Sequence, residues 1–151
     1  MIRDDIRLAL VAAMKARESQ KTGAIRLIQA AIKNRDIEMR TQTAPADDNV
    51  LIVEVLNKMV KQRRESIDMY EKGGRQELAD AETAELVVIE GFLPRRMDEA
   101  ETIAAIAAIK AELGATDLKD MGKVMAELKI RHATSLDMSK ASALVKAGLG
   151  G

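Results

Sequence analysis

The sequence predicts an all-α protein: an N-terminal helical part containing a long helical hairpin, then a C-terminal three-helix bundle. Three observations carry that prediction. Apolar residues recur three and four apart along nearly the whole chain, and nowhere alternate as a strand would. The apolar side chains are overwhelmingly Ala, Ile, Leu, Val and Met, and Tyr70 and Phe92 are the only aromatics. Proline occurs only twice, so few helix interiors are interrupted.

The first helix shows Ile2, Ile6, Leu10, Ala13 and Met14 on one face and is expected to end near Gly23. A second, from about Ala24 to Arg40, carries an apolar stripe of Ile25, Leu27, Ile28, Ala31 and Ile32. Its opposite stripe is polar and partly basic: Arg26, Gln29, Lys33, Asp36 and Arg40. The polar stretch Thr41–Asn49 links it to a long third helix, about Asn49 to Lys72. Asp47 or Asp48 is placed to cap that helix, because a carboxylate there accepts the free amides of the first turn. Leu51, Val55, Met59, Val60, Ile67 and Tyr70 are its inward residues.

Gly73-Gly74 stops the third helix, since glycine accepts the left-handed backbone of a helix C-terminus. A fourth follows from about Arg75 to Glu90, burying Leu78, Ala81, Ala84 and Val88. So short a turn makes helices three and four an antiparallel hairpin. Gly91-Phe92-Leu93-Pro94 forms the internal boundary, because proline restricts the residue before it. Asp98-x-x-Glu101 then has a capping-box pattern and opens a helix with Ile103, Ile106, Ile109 and Leu113, closed at Gly114. A short helix from about Asp117 to Lys129 turns Met121, Val124, Met125 and Leu128 inward, and Gly122 within it suggests a close neighbouring backbone. Asp137 caps a last helix with Ala141, Leu144, Val145 and Leu149 inward. The expected organisation is 1–93 for the N-terminal part and 97–151 for the bundle.

Charge and composition exclude several functions. With 24 basic and 24 acidic residues the net charge is zero, so any polyanion must be held by a local patch rather than a global field. There is no cysteine, hence no thiol chemistry, disulfide or Cys-based metal site. Asp4 and Asp5 interrupt any apolar signal segment, and no run approaches the roughly 18 apolar residues of a membrane span. A cytoplasmic, soluble protein is the expectation.

Catalytic chemistry finds no support. His132 has no second His or Cys at ligand spacing, no phosphate-binding glycine motif is present, and the serines lie outside any nucleophile-elbow context. No catalytic residue, cofactor or metal is expected. The basic residues are more informative. Lys58, Lys61, Arg63 and Arg64 fall within seven residues without an acid, while Glu77–Glu90 carries five acids and no base. Lys58, Lys61, Glu65, Asp68 and Lys72 share a helical face flanked by Arg64, whereas Arg63 lies nearer the apolar side. That pattern fits either a solvated face neutralised across the hairpin or a row of phosphate ligands. With two aromatics, a structured RNA read by shape and phosphates suits it better than stacked single strands.

Four segments, Ile25–Glu38, Val60–Glu82, Glu90–Met97 and Asp120–Met125, together resemble the GatB/YqeY family in order and spacing. The family comprises small YqeY-like proteins and the C-terminal region of the GatB component of the tRNA-dependent amidotransferase. The resemblance implies an all-helical fold with a C-terminal three-helix bundle and a non-catalytic, tRNA-associated module. It implies glutamine-dependent carbon–nitrogen ligase activity only as a property of the larger amidotransferase component. Taken with the basic stripes, it nominates Arg26, Lys33, Lys58, Lys61, Arg64, Lys72, Arg75, Lys119 and Lys123 as tRNA ligands. An aminoacylation or amidation protein partner, docking on the bundle, is the alternative. In place of the family's Gly-Arg-Ala-Asp segment the chain has His132–Asp137, which keeps the aspartate cap but neither the glycine nor the arginine.

Overall fold

The computed structural model describes residues 1–149, and among them the fold is all-α, with no strand. The helices are α1 (Ile2–Lys15), α2 (Ser19–Glu38), α3 (Asp48–Lys72), α4 (Gln76–Gly91), α5 (Glu99–Leu113), α6 (Met121–His132) and α7 (Met138–Leu149). Two single 3-10 turns, Met39–Thr41 and Leu118–Asp120, follow α2 and precede α6. The chain forms two compact units, Met1–Leu93 and Pro94 onward. Residues 150 and 151 of the expected bundle lie outside the described residues.

In the first unit Ile6, Ile25, Ile28, Ile52, Leu56 and Ile89 are fully buried in a common core. Each such side chain stabilises the fold by roughly 1.5–3 kcal/mol. α4 runs back along α3, so that Arg63 meets Glu82 and Glu85 while Arg64 meets Glu90. The reversal is a Schellman turn in which Gly74, at φ +71°, lets the Arg75 amide donate to the Tyr70 carbonyl (2.8 Å) and its own to Glu71 (3.1 Å).

The first helix boundary differs from the sequence expectation. α1 ends at Lys15 and Gly23 lies inside α2. The break is a second Schellman turn: Arg17 takes φ +56°, its amide donates to Met14 (3.2 Å) and the Glu18 amide to Ala13 (3.0 Å). A left-handed arginine costs about 1–2 kcal/mol, so nothing in its residue type announces the turn. Three inward assignments also fail. Met14 and Leu27 are exposed, and α4 buries Ala79 and Ile89 while Ala81 faces solvent.

One arginine ties three helices of this unit together. Arg3 on α1 donates to both carboxylate oxygens of Asp36 on α2 (2.9 and 3.1 Å) and of Asp48, first residue of α3 (2.9 and 3.0 Å). Asp47 is therefore the α3 cap, accepting from the Asn49 amide at 2.9 Å, while Asn49 accepts from the Ile2 amide.

In the second unit α5, α6 and α7 share a core of Ile106, Ile109, Val124, Leu128, Ala141 and Val145. Asp98 caps α5 through the Glu101 amide (2.7 Å), and Asp137 accepts from the Ser139 and Lys140 amides of α7. Gly114 closes α5 at φ +64°. Asp117 and Asp120 form a capping box around the turn before α6. The inward face of α5 uses Thr102, whereas Ile103 and Leu113 are exposed. Gly122 is exposed too, and a Cβ built there meets nothing within 4 Å, so no close backbone approach explains it. The Met97 amide donates to Ser135 (2.8 Å) and Arg96 pairs with Asp137, which ties the Pro94–Met97 segment to the loop before α7.

Candidate nucleic-acid interface

The basic cluster of α3 divides into cations already matched within the fold and cations that are not. Arg63 is turned inward: its side chain is only 19% exposed, and Nε lies 3.2 Å from Glu82 and 2.8 Å from Glu85. It is the pivot of the α3–α4 hairpin. Arg64 pairs with Glu90 at 2.9 Å on a solvated edge. Lys72 pairs with Asp68 one turn back at 2.8 Å, and that hydrogen bond raises its pKa. Arg75 donates to Glu77. Among the described residues Lys58 and Lys61 are exposed and make no ion pair, and they stand on successive turns of one helix face.

The α2 stripe opens elsewhere. Arg26 and Lys33 are exposed, and Lys33 lines a groove shared with α1, beside Arg3, Arg7, Gln29 and Asp36. Asp36, one of the stripe's own residues, is held by Arg3. Lys58 instead borders a separate cleft of about 410 Å³ between α2 and α3. Asn34, Arg35, Glu54 and Gln62 share its walls, and Ala31, Val55 and Met59 its apolar floor. Arg35 crosses it to Glu38 (2.9 Å) and towards Glu54 (3.8 Å). Asn34, Arg35 and Gln62 carried no separate signal in the sequence. They come together only through the packing of two helices, although Asn34 and Arg35 lie within the Ile25–Glu38 segment.

Lys119 and Lys123 belong to the second unit. The Asp120 carboxylate near them accepts from the Thr116 amide and the Asp117 amide; these bonds, then the charges of Lys123 and Lys119, hold its pKa low. The loop His132–Asp137 keeps its aspartate as the cap of α7 and the partner of Arg96. Among the described residues no three His, Asp or Glu side chains gather as a metal site would require, and no helix is long and apolar enough to cross a membrane.

These features define an all-helical module of two units whose surface offers exposed cations over polar clefts. Within that class the chain matches, over residues 3–149, the model of the family described as Yqey-like protein, and it belongs to that family. It is also similar to a protein named Altered inheritance of mitochondria protein 41, mitochondrial. The Eremothecium gossypii form is 36% identical over 96 residues, 63% of this chain and 51% of that protein. The Lachancea thermotolerans form is 27% identical over 103 residues, 67% of this chain and 54% of that protein. The chain thus spans about half the length of these curated relatives.

The names overturn the cytoplasmic expectation, because these relatives are mitochondrial proteins. Lack of cysteine and of an apolar span suits any reducing aqueous compartment, so composition could not separate the cytosol from the interior of an organelle.

Proposed function

We propose that the chain is a non-catalytic RNA-binding module, with tRNA as the polyanion it takes. The observation that supports this most is the exposed pair Lys58 and Lys61, which make no ion pair among the described residues, with Lys58 beside a polar cleft. Membership of the YqeY-like family adds weight through the resemblance to the tRNA-associated region of the amidotransferase. Two ammonium groups on one helix face bind phosphates by charge and counterion release rather than by base identity. Arg26 and Lys33 are further candidate ligands in the first unit, where Arg64, Lys72 and Arg75 take part only by leaving their carboxylate partners; Lys119 and Lys123 are candidate ligands of the second unit, taken by itself. The relatives' names carry a mitochondrial setting into this reading. The test is a titration of labelled tRNA at rising salt. Binding that weakens steeply with salt supports the proposal, and no binding at low salt overturns it.

A second reading, docking on a protein of the aminoacylation or amidation machinery, is favoured by exposed apolar side chains in the second unit. Ile130 is 75% and Ile103 49% exposed. A complex that survives nuclease treatment and contains no RNA would establish it over the first.

A further inference from the structure

We propose that the α2–α3 cleft receives one unpaired nucleotide of the bound RNA, its base inside and its phosphate towards Lys58. The inference rests on the RNA-binding reading and deepens it. At about 410 Å³ the cleft falls within the roughly 300–1,000 Å³ of small-molecule sites. Its chemistry is that of a base edge rather than of a phosphate: the amides of Asn34 and Gln62, one on each helix, can each donate and accept. Among the described residues neither amide has a hydrogen-bond partner in the fold. Arg35 is held between Glu38 and Glu54, so its charge is cancelled while its guanidinium plane is fixed. An arginine plane stacks on a base as an aromatic ring does, which supplies a stacking surface in a chain with almost no aromatics. The apolar floor of Met59 suits the other face of the base. Lys58 is the cation at this rim without an acidic partner, which places the phosphate there.

The test compares unfractionated tRNA with a blunt, fully paired RNA duplex, both labelled, on the full chain and on two variants. Asn34→Ala combined with Gln62→Ala is expected to lower tRNA affinity on the order of tenfold, as loss of base-edge hydrogen bonds does, with duplex affinity and the salt slope unchanged. Lys61→Ala is expected to weaken both RNAs and flatten the salt slope for both. Unchanged tRNA affinity in the double variant overturns the nucleotide site while leaving RNA binding intact. Equal losses on tRNA and duplex also overturn it, since the amides would then act on the backbone. If the unaltered chain binds neither RNA, the RNA reading falls and the nucleotide site falls with it. Exposed positions such as Asn34 and Gln62 leave the fold undisturbed, and unchanged melting of the double variant checks this.

Discussion

Arg3 holds Asp48 through two hydrogen bonds, Nε to Oδ2 at 3.0 Å and Nη2 to Oδ1 at 2.9 Å, and so fixes the start of α3 to α1. The same guanidinium grips Asp36 on α2, so one side chain sets the spacing of the three helices that carry the cations of the first unit. Hydrogen bonding from Arg3, ahead of its charge, lowers the Asp48 pKa and outweighs the opposing effect of burial.

Because the folded carboxylate has a depressed pKa, its stabilisation is complete above the ordinary value of 3.8 and is lost as the pH falls below it. Arg3→Ala is expected to cost about 1–2 kcal/mol at pH 7, modest because the network is partly solvated. At pH 3 the gap between variant and parent should narrow. Urea unfolding at the two pH values reads both numbers, and a pH-independent gap would show that the clip acts through packing alone.

Arg17 and Gly74 occupy equivalent positions in two Schellman turns with opposite residue choices. Arg17→Gly should stabilise the protein by about 0.5–1 kcal/mol by relieving the left-handed backbone. Gly74→Ala should cost about 1 kcal/mol, since a Cβ there is strained even though space surrounds it. Thermal melts of the two variants should shift in opposite directions.

Arg63 and Arg64 are neighbours in sequence with different work. Removing Arg63 leaves Glu82 and Glu85 facing each other half-buried, so Arg63→Ala is expected to cost about 2–3 kcal/mol. Arg64→Ala breaks only a pair whose arginine is 63% exposed and should cost below about 1 kcal/mol. Denaturant midpoints distinguish them, and near-equal losses would contradict the assignment of Arg63 to the hairpin.

What the sequence made legible follows the range of the interaction. The caps Asp47, Asp98 and Asp137 act on amides two or three residues away, and their position before an apolar run announces them. Glycine marked the turn at Gly74 for the same local reason. The break at Arg17 escaped because its residue type opposes its conformation, and Gly23 drew the boundary to itself. Where small and aliphatic residues surround a helix, many rotations of the inward face look alike, so the expected inward positions of Met14, Leu27 and Ala81 fall on the solvent side. Arg3 joins residues 33 and 45 positions distant, and the α2–α3 cleft exists only after two helices pack, so neither leaves a pattern to read. Charge alone could not separate Arg63 from Lys61; helical periodicity already set Arg63 nearer the apolar side, and Glu82 and Glu85 opposite Arg63 complete the difference.

In the proposed RNA complex, phosphate binding rests on Lys58 and Lys61. Its most direct test is the salt dependence of tRNA binding by the Lys58→Ala, Lys61→Ala double variant. The slope of log affinity against log salt should flatten by about 2, one for each phosphate contact removed, with thermal stability unchanged. An unaltered slope and affinity in the folded variant would contradict the account.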